Sequence, residues 1–208
     1  MKKSYMIFAV VGVALMASVG YVLAGDRSDP NVEKFSFTYN DSNSELQLLL
    51  VEYDIHMSSP LKLNGFSIEK YCTFFSDDAI QNSIEYCTST ELLDSNRAFL
   101  GNIQMVGSNQ RPEYVLGVIQ ADISASQLDD LKTVMKVMID TLVCTCWEDD
   151  SPGGFSTVSS WVDAAMEHHE GGVSATSKSE ISNLAGKRLL LEVTTNSEGN
   201  LWKFVISN

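Results

Sequence analysis

The sequence predicts an α+β domain: an antiparallel sheet made of hairpins near both ends of the chain, with amphipathic helices packed on one face. Three observations lead there. Period-two alternation of apolar and polar residues is concentrated near the start and the end. Apolar stripes at steps of three and four fill the middle. The two patterns do not take turns as they would in a doubly wound parallel sheet. Strand order is not readable from patterns of this kind.

The chain opens Met1-Lys2-Lys3 and then runs from Tyr5 to Ala24 without a charge. A basic start, an apolar run and the exit Val22-Leu23-Ala24 are the parts of a secretory signal. At about 1.5 Å per residue the same run also reaches across the roughly 30 Å hydrocarbon of a bilayer. Residues 1–24 are therefore read as a cleaved signal peptide or a retained N-terminal anchor with Lys2 and Lys3 inside. Both put the rest of the chain outside the cytosol: periplasmic, secreted, or anchored with the domain outward. Residues 25–31, with Pro30, read as a linker, and residues 32–208 as a single globular domain.

Phe35, Phe37 and Tyr39 alternate with polar residues, the segment 40–44 turns, and residues 46–57 return, which predicts a first hairpin. The run Leu48-Leu49-Leu50-Val51, apolar on both faces, suggests a central strand or, in a second reading, a short helix. A second hairpin is expected over residues 61–68 around Asn64-Gly65, the favoured pair for a type I′ turn. Residues 76–86 read as a helix capped by Ser76, and residues 90–100 as a helical turn ended by Gly101. Residues 113–121 are apolar and β-rich, hence a strand.

The clearest helix starts near Ser124, where Ser124 and Gln127 have capping-box spacing, and carries Leu128, Leu131, Met135, Met138 and Leu142 on one stripe. It leads into Cys144-Thr145-Cys146-Trp147, and Pro152-Gly153-Gly154 breaks the chain. A further helix is expected over residues 156–170, with Val158, Trp161, Val162, Ala165 and Met166 inward and Gly171-Gly172 as its stop. Residues 173–186 read as a polar connection. The chain closes with a hairpin: residues 189–194, a turn at 196–199, and residues 201–206, with Trp202, Phe204 and Ile206 on the buried face.

The composition is that of a packed globule, with 44% hydrophobic and 20% charged residues. The formal charge is -13, and loss of Lys2 and Lys3 with a leader takes it to -15. Such a surface repels phosphate backbones, so no nucleic-acid partner is expected. Nor does it adhere to anionic lipid, and membrane contact is expected only through residues 5–24 if they are retained.

Four cysteines in an exported domain read first as disulfides. Cys72, Cys87, Cys144 and Cys146 allow three pairings: Cys72 with Cys87 and Cys144 with Cys146, or either of two that tie residues 72–87 to the end of the long helix. A Cys144–Cys146 bridge is expected to be strained, because the favoured Cα separation is hard to reach across one residue. Strained bridges are easily reduced, which opens a redox reading for that pair. Zinc is disfavoured, since Cys72 and Cys87 lie far outside the usual ligand spacing.

His168 and His169 point about 100° apart on a helix and lack the spacing of a zinc-protease helix, so they read as exposed residues at a helix C-terminus. His56 stands alone. The acidic run Glu148-Asp149-Asp150 lacks calcium-loop spacing. Nucleophile elbows, P-loops and dinucleotide glycine patterns are absent, so no catalytic residue, metal or cofactor is assigned. Trp147, Trp161 and Trp202 read as core residues or, alternatively, as an aromatic platform facing a ligand. The function expected is that of an acidic exported module binding a protein or small ligand, stabilised by disulfides. The alternatives are a thiol-redox or metal-handling envelope protein using Cys144 and Cys146, and a hydrolase whose site has no sequence signature.

Overall fold

The computed structural model describes residues 35–75, 77–121, 125–197 and 199–208, which belong to one compact unit within Glu33–Asn208. The expected leader and linker, and the caps at Ser76 and Ser124, lie outside the described residues. Among the described residues no helix is long and apolar enough to cross a membrane.

The first element corrects the first expected hairpin. Residues Tyr39–Leu50 form a helix, α1. Thr38 caps it, its hydroxyl accepting the Asp41 N–H. Tyr39, Asn43, Leu46 and Leu50 are buried at steps of four, three and four, whereas Leu48 is 66% exposed. A helix buries one stripe of that apolar run, so the run never needed burial on two faces. A single helical turn over Val51–Tyr53 ends at Asp54 in the left-handed conformation, and β1 (His56–Met57) follows.

The second expected hairpin is half right. β2 (Leu61–Asn64) is a strand, but after Gly65 the chain enters a short helix, α2 (Phe66–Tyr71). Gly65 takes φ +51° and ψ -131°, a backbone state open to glycine, and uses it to start a helix instead of closing a hairpin. α3 (Asp78–Ser83) is capped by Asp77, whose carboxylate accepts the N–H groups of Ala79 and Ile80.

β3 (Tyr86–Leu93) and β4 (Phe99–Gly107) then form a hairpin where a helical turn was expected over 90–100. Asp94 organises its turn, one carboxylate oxygen accepting the N–H groups of Asn96 and Ala98 at 2.8 Å each. β5 (Pro112–Ala121) matches its expectation. So do α4 (Ala125–Leu142) and, after the short α5 (Trp147–Asp150), α6 (Val158–Glu170). The hydroxyl of Thr157 and that of Ser160 form a reciprocal capping box at the start of α6.

The expected polar connection over 173–186 is in fact mostly β6 (Thr176–Leu184). As an outermost strand it needs few apolar residues, and Ile181 and Leu184 alone are buried. β7 (Lys187–Asn196) and β8 (Gly199–Ser207) make the expected terminal hairpin.

Among the described residues the strands join one antiparallel eight-stranded sheet in the order β1-β3-β4-β5-β8-β7-β6, with β2 also pairing β3. α1, α4 and α6 cover one face over a large core that includes Leu46, Ile103, Val115, Met138, Trp161 and Phe204. At Gly117 on β5 a Cβ would stand 3.1 Å from the Met138 sulfur, so this glycine lets α4 sit close. The opposite face is not bare. α2 and α3 form a small cap over a second core of Leu63, Ile68, Cys72, Ile84, Cys87, Val106, Leu116 and Val205.

Candidate functional site: the Cys144–Cys146 corner and its hollow

The cysteines pair locally, Cys72 with Cys87 and Cys144 with Cys146, and none is free. The two bridges have different surroundings. Cys72 and Cys87 are both 0% exposed, at the centre of the capped core. Cys144 and Cys146 are half-buried at the C-terminal end of α4, with Cα atoms 5.1 Å apart. That lies inside the roughly 4.4–6.8 Å range of disulfides, so a single intervening residue does span the distance.

The corner is built by helix ends. Past Leu142 the N–H groups of Val143 and Cys144 both return to the Ile139 carbonyl, at 2.9 and 3.0 Å. The Cys146 carbonyl then accepts the Asp150 N–H at 2.9 Å and opens α5. Trp147 turns inward, donates its indole N–H to the Phe155 carbonyl at 3.1 Å, and lies with its ring centroid 5.6 Å from that of Trp161. Trp161 donates to the Ser179 hydroxyl at 2.7 Å and meets Phe204 edge-on at 6.1 Å. A chain of rings thus couples the disulfide corner to the sheet.

Beside the corner is a hollow of about 610 Å³ between the end of α4 and the start of α6. Its walls are Lys136 and Asp140 from α4, Thr145 from between the two cysteines, Trp147 and Glu148 from α5, and Thr157, Val158 and Ser159 from the start of α6. Lys136 and Asp140 are ion-paired one helical turn apart. That hydrogen bond holds the Lys136 ammonium above its ordinary range, against burial that lowers it. Tyr53, 53% exposed, is close enough to act on the charge of Lys136. The hollow therefore offers hydroxyls, one ammonium, carboxylates and an indole edge, at a size typical of small-ligand sites.

Trp147, Trp161 and Trp202 are all in the core, at 3%, 0% and 1% exposure, and only Trp147 borders the hollow. Among the described residues no group of three or more His, Cys, Asp and Glu side chains converges as metal ligands.

The histidine pair divides. His168 is exposed as expected, but His169 is buried, which corrects its expected exposure. Its Nε2 is 2.7 Å from the Thr195 hydroxyl and its Nδ1 is 3.0 Å from the Ser177 hydroxyl. Thr195 donates onward to the Asn200 side-chain carbonyl at 2.9 Å. This network ties the end of α6 to β6, β7 and β8. The signal for it lay in helix period: His169 follows Trp161, Val162, Ala165 and Met166 on the inward stripe.

Fold and cysteine pairing together define a disulfide-bearing α+β domain. No family model matches the chain, and neither a curated protein nor a solved structure matches it.

Proposed function

We propose that the chain is an acidic binding module that works outside the cytosol, takes a protein or small ligand at the hollow between α4 and α6, and uses its disulfides as staples. The observation that carries this reading is the complete pairing of the cysteines, with one bridge at the heart of a core. Paired cysteines are at home in oxidising compartments and rare in the cytosol. The volume and mixed lining of the hollow support a ligand.

The test is mass spectrometry of the chain isolated from fractionated host cells, with and without reduction. The expected result is an extracytoplasmic chain, intact or beginning at Gly25, with both disulfide-linked peptide pairs recovered. Free thiols on a chain found in the cytosol would overturn the reading.

A second reading, thiol–disulfide exchange, is favoured by one observation: Cys144 and Cys146 are half-buried and flank Thr145, which lines the hollow. An incoming thiolate would attack one sulfur, form a mixed disulfide and release the other cysteine as the thiolate. Glu148, Asp149 and Asp150 next to the pair disfavour that thiolate. Cys146→Ser trapping would decide, since an exchange protein accumulates a mixed disulfide on Cys144 and a staple does not.

A further inference from the structure

Among the described residues β6 is the terminal strand of the sheet, and its backbone phase and charges suit one partner, a second copy of itself. The Ala175 carbonyl accepts the Thr195 N–H at 2.9 Å, which sets the phase of the β6–β7 ladder. Ala175, Ser177 and Ser179 turn their backbone groups toward β7, and Lys178 and Glu180 turn theirs toward the edge that no described strand covers. The side chains of Lys178 and Glu180 lie on the face away from the helices, since Ser179 faces Trp161 and Ile181 belongs to the helix-side core. Behind them on β7 stand opposite charges. Lys178 is paired with Glu192 at 2.9 Å, and Glu180 with Arg188 at 2.7 Å.

We propose that two copies of the chain pair antiparallel along β6 about a two-fold axis at Ser179, extending the sheet across both molecules. In that register Lys178 lies opposite the partner's Glu180, and Glu180 opposite the partner's Lys178. Each pair exchanges both of its outward backbone hydrogen bonds. Across the seam the charges then run Glu192, Lys178, the partner's Glu180, the partner's Arg188, alternating in sign, and the two-fold axis repeats the row in the opposite direction. Moving the axis to residue 178 sets Lys against Lys, and moving it to 180 sets Glu against Glu. Like charges directly opposite destabilise a ladder, so the edge selects its own register. A lysine on an edge strand usually guards against pairing. A glutamate two residues on makes this edge guarded against other strands and complementary to itself. The irregularity between Ile181 and Leu184 limits the seam to the first part of β6.

The experiment is sedimentation equilibrium on the full chain in non-ionic detergent, for the wild type, Lys178→Glu, Glu180→Lys and an equimolar mixture of the two variants. Wild type should dimerise reversibly. Each variant alone should associate at least about tenfold more weakly, because both symmetry-related pairs turn repulsive. The mixture should regain association, because one variant then carries two acids at the seam and the other two bases. Both sites are exposed; each reversal turns one surface ion pair within the chain, Lys178–Glu192 or Glu180–Arg188, into a like-charge pair, a small cost in solvent, so the fold should survive, as thermal melts will verify. A wild type that stays monomeric at every concentration reached overturns the proposal. So does a dimer indifferent to the reversals, or a mixture no better than its components.

Discussion

The two faces of the sheet are closed by different means. On one, α1, α4 and α6 lay long apolar stripes over the strands, and the core they enclose includes fully buried Trp161, Trp202 and Phe204. On the other, α2 and α3 have six residues each, below the length at which a helix holds itself together in water. The cap is instead held by named tethers. Cys72 is bonded to Cys87 on β3, the Gln81 side chain bonds the Cys72 carbonyl and the Phe74 and Phe75 N–H groups, and Lys203 on β8 donates to the Phe74 carbonyl. Burial suffices where a stripe is long; where it is short, a covalent bond and a few polar contacts stand in.

The largest effect is expected where burial does the holding. Trp161→Ala removes a fully buried ring that touches Trp147 and Phe204 and leaves the Ser179 hydroxyl without its donor. The loss should be about 3–5 kcal/mol, seen as a cooperative drop in denaturant midpoint for the whole domain. A loss confined to α6 would mean that the helix layer is not one cooperative unit.

On the capped face, Cys72→Ala together with Cys87→Ala should cost about 3 kcal/mol, as expected for a loop of 15 residues. Hydrogen exchange should locate that loss in α2, α3 and the loop between them, with α4 protected nearly as before. The matching pair Cys144→Ala and Cys146→Ala closes a far shorter loop and should cost nearer 1.5 kcal/mol. Equal losses would remove the distinction between a bridge that holds a cap and one that shapes a corner.

Sequence patterns registered the first kind of closure well and the second poorly. The stripe from Leu131 to Leu142, the inward set from Val158 to Met166 and the alternation of Trp202, Phe204 and Ile206 could be read because each repeats one period against a large core. Tyr39–Leu50 was hidden because Phe35, Phe37 and Tyr39 imitate a strand up to the cap at Thr38. The β3–β4 hairpin was hidden because its turn carries no glycine and is closed at Asp94, by that side chain and by backbone bonds with Arg97 and Ala98. β6 was hidden because an edge strand with two buried residues does not alternate visibly. The sequence left three cysteine pairings open, and the structure selects the one that is local at both pairs. The hollow was not legible, since Lys136, Thr145 and Ser159 meet only after α4 and α6 pack. His169 was legible only as a continuation of its helix stripe.

A smaller effect should follow from the polar tether of the cap. Gln81→Ala leaves one carbonyl and two N–H groups near a core without their partner. The expected cost is about 1–3 kcal/mol. Added to the disulfide deletion it should fall short of the sum, because a loosened cap has already lost the geometry that Gln81 reads. Full additivity would show that the bridge and the amide hold separate parts of the cap.

The smallest effects are two carboxylates of opposite pH sense, one on each side of the sheet. Glu180, on the uncapped part of the second face, has its pKa lowered, chiefly by the hydrogen bond from Arg188 and despite some burial. Its stabilisation is present above the unfolded value and fades as pH falls through the lower folded value. Asp130, on α4, has its pKa raised by burial first and then by Asp94 and Asp129. Its ionisation opposes folding, a cost absent at low pH that grows as pH rises from the unfolded value through the folded one. Glu180→Gln should therefore lower the stability read from thermal melts near neutral pH, by less than about 1 kcal/mol for so exposed a pair, and match wild type in acid. Asp130→Asn should raise it near neutral pH and also converge with wild type in acid. Melts at a dilution that keeps the chain monomeric separate the Glu180 effect from any role at the β6 seam. Two curves that diverge from wild type in the same direction at neutral pH would show that the carboxylates answer to the net charge of the molecule instead of to their own neighbours.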